Sequence, residues 1–164
     1  PAGSDGVVML PFGNGAERML ENRYTGTVIA GVDLNRHSRF HLLRAAQEGI
    51  ACAFRYGMDI MRETGLQPRV IRAGRANLFL SPIFRKTLAT LCGVDIELYN
   101  TDGALGAARG AALGAGLYAS REEAFASLKK IDEVHPDPAI RETLEQGYAV
   151  WRNELESQFK QTNK

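Results

Sequence analysis

The sequence predicts a single α/β domain with helices packed on a sheet, and three observations predict it. Short runs rich in β-branched residues alternate with stretches of helical period, the order that lays helices against strands. At 164 residues and 18.0 kDa the chain has the length of one ordinary domain. Its composition, 45% hydrophobic and 24% charged with 17 Gly, is that of a globular protein and excludes a disordered or collagen-like chain.

Val7-Val8-Met9-Leu10-Pro11-Phe12 is an apolar run of buried-strand length. Gly13-Asn14-Gly15 breaks it, and the aperiodic polar stretch through Tyr24 reads as a loop. Residues 27–32 are rich in β-branched side chains and form a second strand. Ser38 has the side chain of an N-cap, with an oxygen able to accept from a backbone N–H one turn on. The helix it opens runs to Glu63. Leu43, Ile50 and Gly57 interleave with Ala46, Phe54 and Met61 at three- and four-residue spacings, so this stripe is expected to face the core. Gly65 suits the left-handed position that closes such a helix.

Residues 69–74 are a third strand, ending in Gly74 and running straight into Arg75-Ala76-Asn77. A second helix covers 81–91, with Pro82 in its first turn and Gly93 after its end. Residues 95–99 alternate as a strand. Asn100-Thr101-Asp102 then caps an Ala/Gly-rich helix over 103–115. Two more helices are expected over 121–130 and 138–161, parted by His135-Pro136-Asp137-Pro138. The last carries many charges and the single Trp and is expected to lie across the surface.

Charge and cysteine usage narrow the function. Twenty Lys and Arg against 19 Asp and Glu leave a formal +1, without the basic excess of a protein that neutralises many phosphates, so no nucleic-acid partner is expected. Cys52 and Cys92, each in apolar surroundings, read as two reduced buried thiols of a cytoplasmic protein rather than a disulfide framework or zinc set. No segment has the roughly 18 consecutive apolar residues of a membrane span, and no basic start precedes an apolar signal core, so no membrane partner is expected. The chain begins Pro1-Ala2-Gly3 without an initiator Met, and a piece of a longer protein or a processed product is expected.

The best local candidate for chemistry is the junction from Arg72 to Ser81. A strand ending in glycine lets a ligand approach the backbone, and open α/β sheets bind ligands outside the carboxyl ends of their strands. Asn77 has both donor and acceptor for a polar edge, and Arg75 has a planar cation. A second oddity is Gly106, Gly110 and Gly114, four apart along one helix face. Each costs roughly 0.8–1.0 kcal/mol of helix stability relative to Ala, which close helix–sheet packing, the favoured reading, or a flat ligand would offset. His37 and His41 have metal-ligand spacing, but no third ligand accompanies them and no metal is assigned. A P-loop pattern and a Gly-x-Ser-x-Gly elbow are absent. Asp33, Asp59, Glu48 and Glu63 read as solvated charges or caps.

Four motifs, in order and spanning nearly the whole chain, carry a family resemblance. They are Gly3-Ser4-Asp5-Gly6-Val7-Val8-Met9-Leu10-Pro11-Phe12 with Gly15-Ala16-Glu17-Arg18; Ile29-Ala30-Gly31-Val32 followed after eight residues by the run from His41 to Ile50; Arg72 to Asn77 with Ser81-Pro82-Ile83-Phe84-Arg85; and Gly103-Ala104-Leu105-Gly106-Ala107-Ala108. Together they resemble the carboxy-terminal domain of the FGGY carbohydrate kinases, most like the xylulokinase members. Thr27 and Gln47 depart from the pattern, and Ala73-Gly74-Arg75 stands where the family has three glycines.

The resemblance implies a ribonuclease-H-like domain of the actin/hexokinase type, a mixed sheet with helices on both faces. It implies that 1–164 is the nucleotide-binding domain of a two-domain kinase phosphorylating D-xylulose or a related ketose or polyol. ATP/ADP and Mg²⁺ are the implied cofactors, with the adenosine side carried by Gly74, Arg75, Ala76, Asn77, Gly103 and Gly106. The catalytic Asp and the sugar contacts belong to an amino-terminal domain outside this chain, so no catalytic residue is assigned here. An isolated domain of this kind is expected to self-associate, a homodimer being one outcome. Sister kinases for glycerol, ribulose or gluconate, and a non-catalytic binding or regulatory module on the same scaffold, are the alternative readings.

Overall fold

A computed structural model describes residues 1–15 and 17–162. Ala16, within the Gly15–Arg18 part of the first motif, lies outside the described residues. Two sheets hold the strands: β1 (Val8–Phe12) and β2 (Gly26–Ala30) pair antiparallel, and β3 (Val70–Gly74), β4 (Asp95–Tyr99) and β5 (Lys130–Val134) form a second, mixed sheet in that order. β3 runs parallel to β4, with Ile71 opposite Ile96 and Gly74 opposite Tyr99, whereas β5 runs antiparallel to β4 with a bulge at Leu98 and Tyr99. The helices are α1 (Arg39–Glu63), α2 (Pro82–Cys92), α3 (Gly103–Gly114), α4 (Arg121–Phe125) and α5 (Pro138–Thr162). None among the described residues is long and apolar enough to cross a membrane.

One core joins the two sheets. Leu10 and Phe12 of β1, Phe84, Leu88 and Leu91 of α2, Ile96 and Leu98 of β4, and Leu144, Trp151 and Leu155 of α5 are buried together. Alternation along β4 explains its share, since Ile96 and Leu98 point inward while Glu97 between them points out. On that outer face Glu97 accepts from Arg72 Nε at 2.8 Å and from the Tyr99 hydroxyl at 2.9 Å, with Lys130 Nζ at 3.6 Å. The Arg72 hydrogen bond, followed by that of Tyr99, holds the Glu97 carboxyl below its usual range.

Helix α1 starts where the sequence places it. Ser38 Oγ accepts from Phe40 N, and His41 Nδ1 accepts from the Ser38 N–H at 3.0 Å. At the other end Gly65 has φ +88° and the Leu66 N–H donates back to the Met61 carbonyl. The face it buries differs from the one expected. Ala45, Glu48, Gly49, Cys52 and Met58 are inside, whereas Leu43 is 59% and Phe54 45% exposed. The cause is close approach, because a Cβ on Gly49 would lie 2.1 Å from the Met9 carbonyl oxygen. Small residues let α1 press on β1, which turns Leu43 and Phe54 outward.

Three further expectations need correction. Helix α5 does not lie across the surface, because Leu144, Tyr148, Trp151 and Leu155 recur at helical spacing and enter the core. The helix over 121–130 ends at Phe125, and Lys130–Val134 is a strand whose exposed, charged sequence has no apolar alternation to announce it. Glu48 and Asp59 are not simply solvated. Glu48 accepts from Gly3 N, Ser4 Oγ and Arg44 Nε, and Asp59 from Arg55, Arg62 and the Tyr148 hydroxyl.

Both cysteines are free and buried. Loss of hydration disfavours each thiolate, pushing the Cys92 thiol up to about 12 and that of Cys52 higher still. Neither should react with an aromatic disulfide reagent at neutral pH in the native state, and both should react at once in denaturant. Immediate native labelling of either residue contradicts the burial described.

Candidate functional site

β3 and β4 end side by side, and each ends in a tight turn. The Ala76 N–H donates to the Gly74 carbonyl at 2.9 Å, the Thr101 N–H donates to the Tyr99 carbonyl at 2.8 Å, and the Arg75 N–H joins the turns by donating to Tyr99 O at 3.1 Å. Gly74 is required by this contact: a Cβ there would lie 2.4 Å from the Thr101 carbonyl oxygen and 3.2 Å from Asp102 Cα. Asn77 follows at φ +51°, a left-handed conformation that Asn tolerates better than most residues, and opens a short 3-10 turn through Leu80. Ser81 caps α2 by accepting from Phe84 N, and its hydroxyl donates to Gln47 Oε1 at 2.6 Å. The off-pattern Gln47 thereby ties this loop to α1.

The second turn launches α3. Asp102 Oδ1 accepts from the Leu105 N–H at 2.8 Å, the cap its sequence predicts. The expectation of close helix–sheet packing fails at the glycine stripe, since a Cβ on Gly103, Gly106, Gly110 or Gly114 would meet nothing within 4 Å. Its bare face stays open because α3 is held from another side. Arg109 is buried there, its guanidinium donating to Thr101 Oγ1 at 3.2 Å and to Ser127 Oγ at 3.0 Å.

Of the residues singled out in the sequence, Gly74, Arg75, Ala76 and Asn77 form one loop. Gly74 touches the turn immediately before Gly103, and Gly106 lies one turn up the same helix. Arg72 is directed elsewhere, onto Glu97. The Arg75 side chain is exposed and has no hydrogen-bond or ion-pair partner among the described residues. His37 and His41 each accept a backbone N–H at Nδ1, from Asp33 and from Ser38, which gives both rings a turn-closing role. Asp95, Glu133 and His135 approach one another at the opposite end of β4, where Lys130 already pairs with Glu133.

Several cavities lie among these elements. One of about 450 Å³ runs between α1 and α5, where Asp59 and Glu145 already pair with Arg55. Another, about 400 Å³, is bounded by residues from 2 to 9, α1 and α5, and its carboxylates are taken up, Glu48 by Gly3, Ser4 and Arg44 and Asp5 by Arg36. A smaller one of about 260 Å³ is lined by Arg75, Phe79, Leu80, Arg85, Ile131 and Asp132. Sequence reasoning missed this last cavity, because Asp132 comes from β5, an exposed strand that no apolar alternation announces. Asp102, the carboxylate at the paired turns, is occupied as a cap, so no Mg²⁺ ligand is assigned to this chain.

No protein-family model matches the chain. A stretch of 72 residues, 44% of this chain and 14% of its relative, is 39% identical to the xylulose kinase of Haemophilus influenzae. The solved xylulose kinase of Rhodospirillum rubrum superposes on all of this chain with a TM-score of 0.79 and 26% identity. Plasmodium falciparum glycerol kinase, solved with ADP, superposes on 94% of it with a TM-score of 0.70 at 21% identity, a likeness of fold. This chain spans about a third of the length of these solved kinases, 33% and 31% respectively. The α/β fold expected of an actin/hexokinase-type domain is therefore borne out. In sequence over part of its length and in fold over all of it, the chain resembles the FGGY carbohydrate kinases, xylulose kinases among them.

Proposed function

We propose that this chain is the nucleotide-binding half of an ATP-dependent sugar kinase, its adenosine side formed by Gly74, Arg75, Ala76, Asn77, Gly103 and Gly106. The observation that carries the proposal is the pairing of two turns at the carboxyl ends of parallel neighbouring strands, beside a helix whose first turns offer open, bare backbone. Such a surface admits a flat ring against the main chain. Each missing Cβ on α3 has a helix-propensity cost that packing within this chain does not offset. Asn77 offers an exposed amide to a polar edge and Arg75 an unpaired cation.

ATP would supply the phosphoryl group, with its bound Mg²⁺ countering charge in the transfer. The residues of this chain bind and orient. The general base that takes the sugar hydroxyl proton is assigned to a further domain, as is the choice of sugar. Similarity to xylulose kinases supports D-xylulose or a related ketose or polyol as the acceptor. A full-length kinase carrying this domain should therefore prefer D-xylulose in a panel of ketoses and polyols.

The direct test is a titration of the 164-residue chain with ATP and with adenosine, followed by backbone amide NMR. Shifts are expected at 74–77 and 103–106, with a dissociation constant on the order of 1 mM for half a site. A folded chain that shows no change at these amides up to several times that concentration would defeat the proposal.

A further inference from the structure

The outer edge of β3 carries backbone groups whose hydrogen bonds this chain leaves unmade. β3 has β4 on one side and no strand on the other. The Arg75 N–H bonds to the Tyr99 carbonyl across the parallel pair. Backbone groups alternate in direction along a strand, so Ile71 and Ala73 also face β4, while Val70, Arg72 and Gly74 aim their N–H groups away from it. Among the described residues no hydrogen bond reaches those three N–H groups, or the carbonyls of Val70 and Arg72. Val70 and Gly74 are half-buried, and backbone groups taken out of water are nearly always paired in a finished structure.

Two other edges are closed by recognisable devices. β5, at the far side of the same sheet, is exposed and carries Lys130, Asp132 and Glu133. β1 has Pro11, which lacks an N–H, and its Met9 carbonyl accepts from Trp151. β3 has neither proline nor bulge, and its one charged side chain, Arg72, is turned onto the sheet face to meet Glu97. We propose that this edge takes a β-strand from the part of a full-length kinase that lies outside this chain, main-chain pairing supplying the affinity. The inference rests on the reading of the chain as one domain of a sugar kinase. The chain superposes throughout on the Rhodospirillum rubrum enzyme yet spans 33% of it, which leaves the larger part of such a polypeptide to supply the strand. A second copy fits poorly, since pairing two β3 edges antiparallel about their midpoints sets the two copies of Arg72 opposite each other, and like charges there destabilise a sheet. The strand that fits is apolar on the face of Ile71 and Ala73, which pack on the core, and neutral or acidic beside Arg72. Because β3 ends at Gly74, the incoming strand would hold the candidate loop from the side opposite β4.

The test is amide hydrogen exchange, run without nucleotide on the 164-residue chain and on a full-length kinase carrying it. In the 164-residue chain the amides of Ile71 and Ala73 should be protected, and those of Val70, Arg72 and Gly74 should exchange at least about tenfold faster. In the full-length kinase the three outward amides should slow by about 100-fold. Equally fast exchange of these amides in both proteins overturns the proposal. So does protection in the 164-residue chain that is lost on dilution, because it assigns the edge to a second copy.

Arg72→Pro gives an independent readout. It deletes an outward N–H and leaves the bonds of Ile71 and Ala73 to β4, while Arg72→Ala controls for the lost pair with Glu97. The two variants should unfold at similar urea midpoints in the isolated chain, whereas Arg72→Pro should fall clearly below Arg72→Ala in the full-length kinase. A gap between them that is as large in the isolated chain overturns the proposal. Adenosine titration tells the two readings apart. If adenosine leaves Gly103 and Gly106 unmoved while the outward amides are protected in the full-length protein, the nucleotide reading fails and the strand site stands. The reverse pattern removes the strand site and leaves the nucleotide reading.

Discussion

Replacing Trp151 by Ala should destabilise the chain by about 3–5 kcal/mol, the usual cost of removing a large aromatic from a packed core. Trp151 is 1% exposed and stacks on Tyr148 at 6.0 Å between ring centroids, with Phe12 edge-on at 5.9 Å. Its indole N–H donates to the Met9 carbonyl at 2.9 Å, and Gly49 of α1 presses on that same carbonyl. One peptide group of β1 is thus the meeting point of α1 and α5. The variant loses ring contacts, opens a cavity and removes a hydrogen bond together. Against a total stability of roughly 5–15 kcal/mol, that loss threatens the folded state itself. Urea unfolding followed by circular dichroism measures it, because the substitution deletes the single Trp fluorophore. Trp151→Phe keeps most of the ring and should fall between the two. A midpoint for Trp151→Ala within error of the parent would show that α5 is not anchored through this residue.

The second large effect contrasts two glycines of the candidate site. Gly74→Ala drives a methyl group into the Thr101 carbonyl oxygen, 2.4 Å from the new Cβ, so one of the paired turns must move. Overpacking of this kind costs about 1–3 kcal/mol, and the start of α3 should shift with the displaced turn. Gly106→Ala should act in the opposite direction on stability. Nothing lies within 4 Å of its new methyl, so the helix should gain up to about 1 kcal/mol from the better residue. Both variants should nevertheless lose nucleotide binding, Gly74→Ala by moving the surface and Gly106→Ala by covering it. Paired unfolding curves and ATP titrations read out the two signs. A Gly106→Ala chain that is more stable and binds ATP as the parent does would remove α3 from the site.

Much of the local structure was legible from residue chemistry. Ser38, Ser81 and Asp102 cap the helices that their side chains suggest, because N-capping depends on atoms within one turn. Gly65 and Gly93 adopt the left-handed conformation that ends α1 and α2 for an equally local reason. The loop at Gly74 was legible as a strand end, and its register beside Tyr99 agrees with a parallel α/β order. The reason for its glycine was not, since the obstructing atom belongs to Thr101, on the neighbouring strand's turn.

Where the sequence reading failed, the deciding contacts were distant ones. The buried face of α1 was misassigned because hydrophobicity alone favours Leu43 and Phe54, whereas close approach to β1 selects Gly49 and Ala45. β5 escaped notice because an exposed strand lacks apolar alternation and exists through its pairing with β4.

The sequence by itself determined the α/β order, the helix caps, the two strand-end turns and the resemblance to FGGY kinases, since each resides in neighbouring residues or in motif order. Tertiary structure alone decided that the glycine face of α3 is open, that Arg72 is spent on Glu97, and that Arg75 and Arg85 share a cavity with Asp132. Those facts depend on atoms brought together from separate elements, where a few ångströms separate a packed face from a site and no local pattern records the distance.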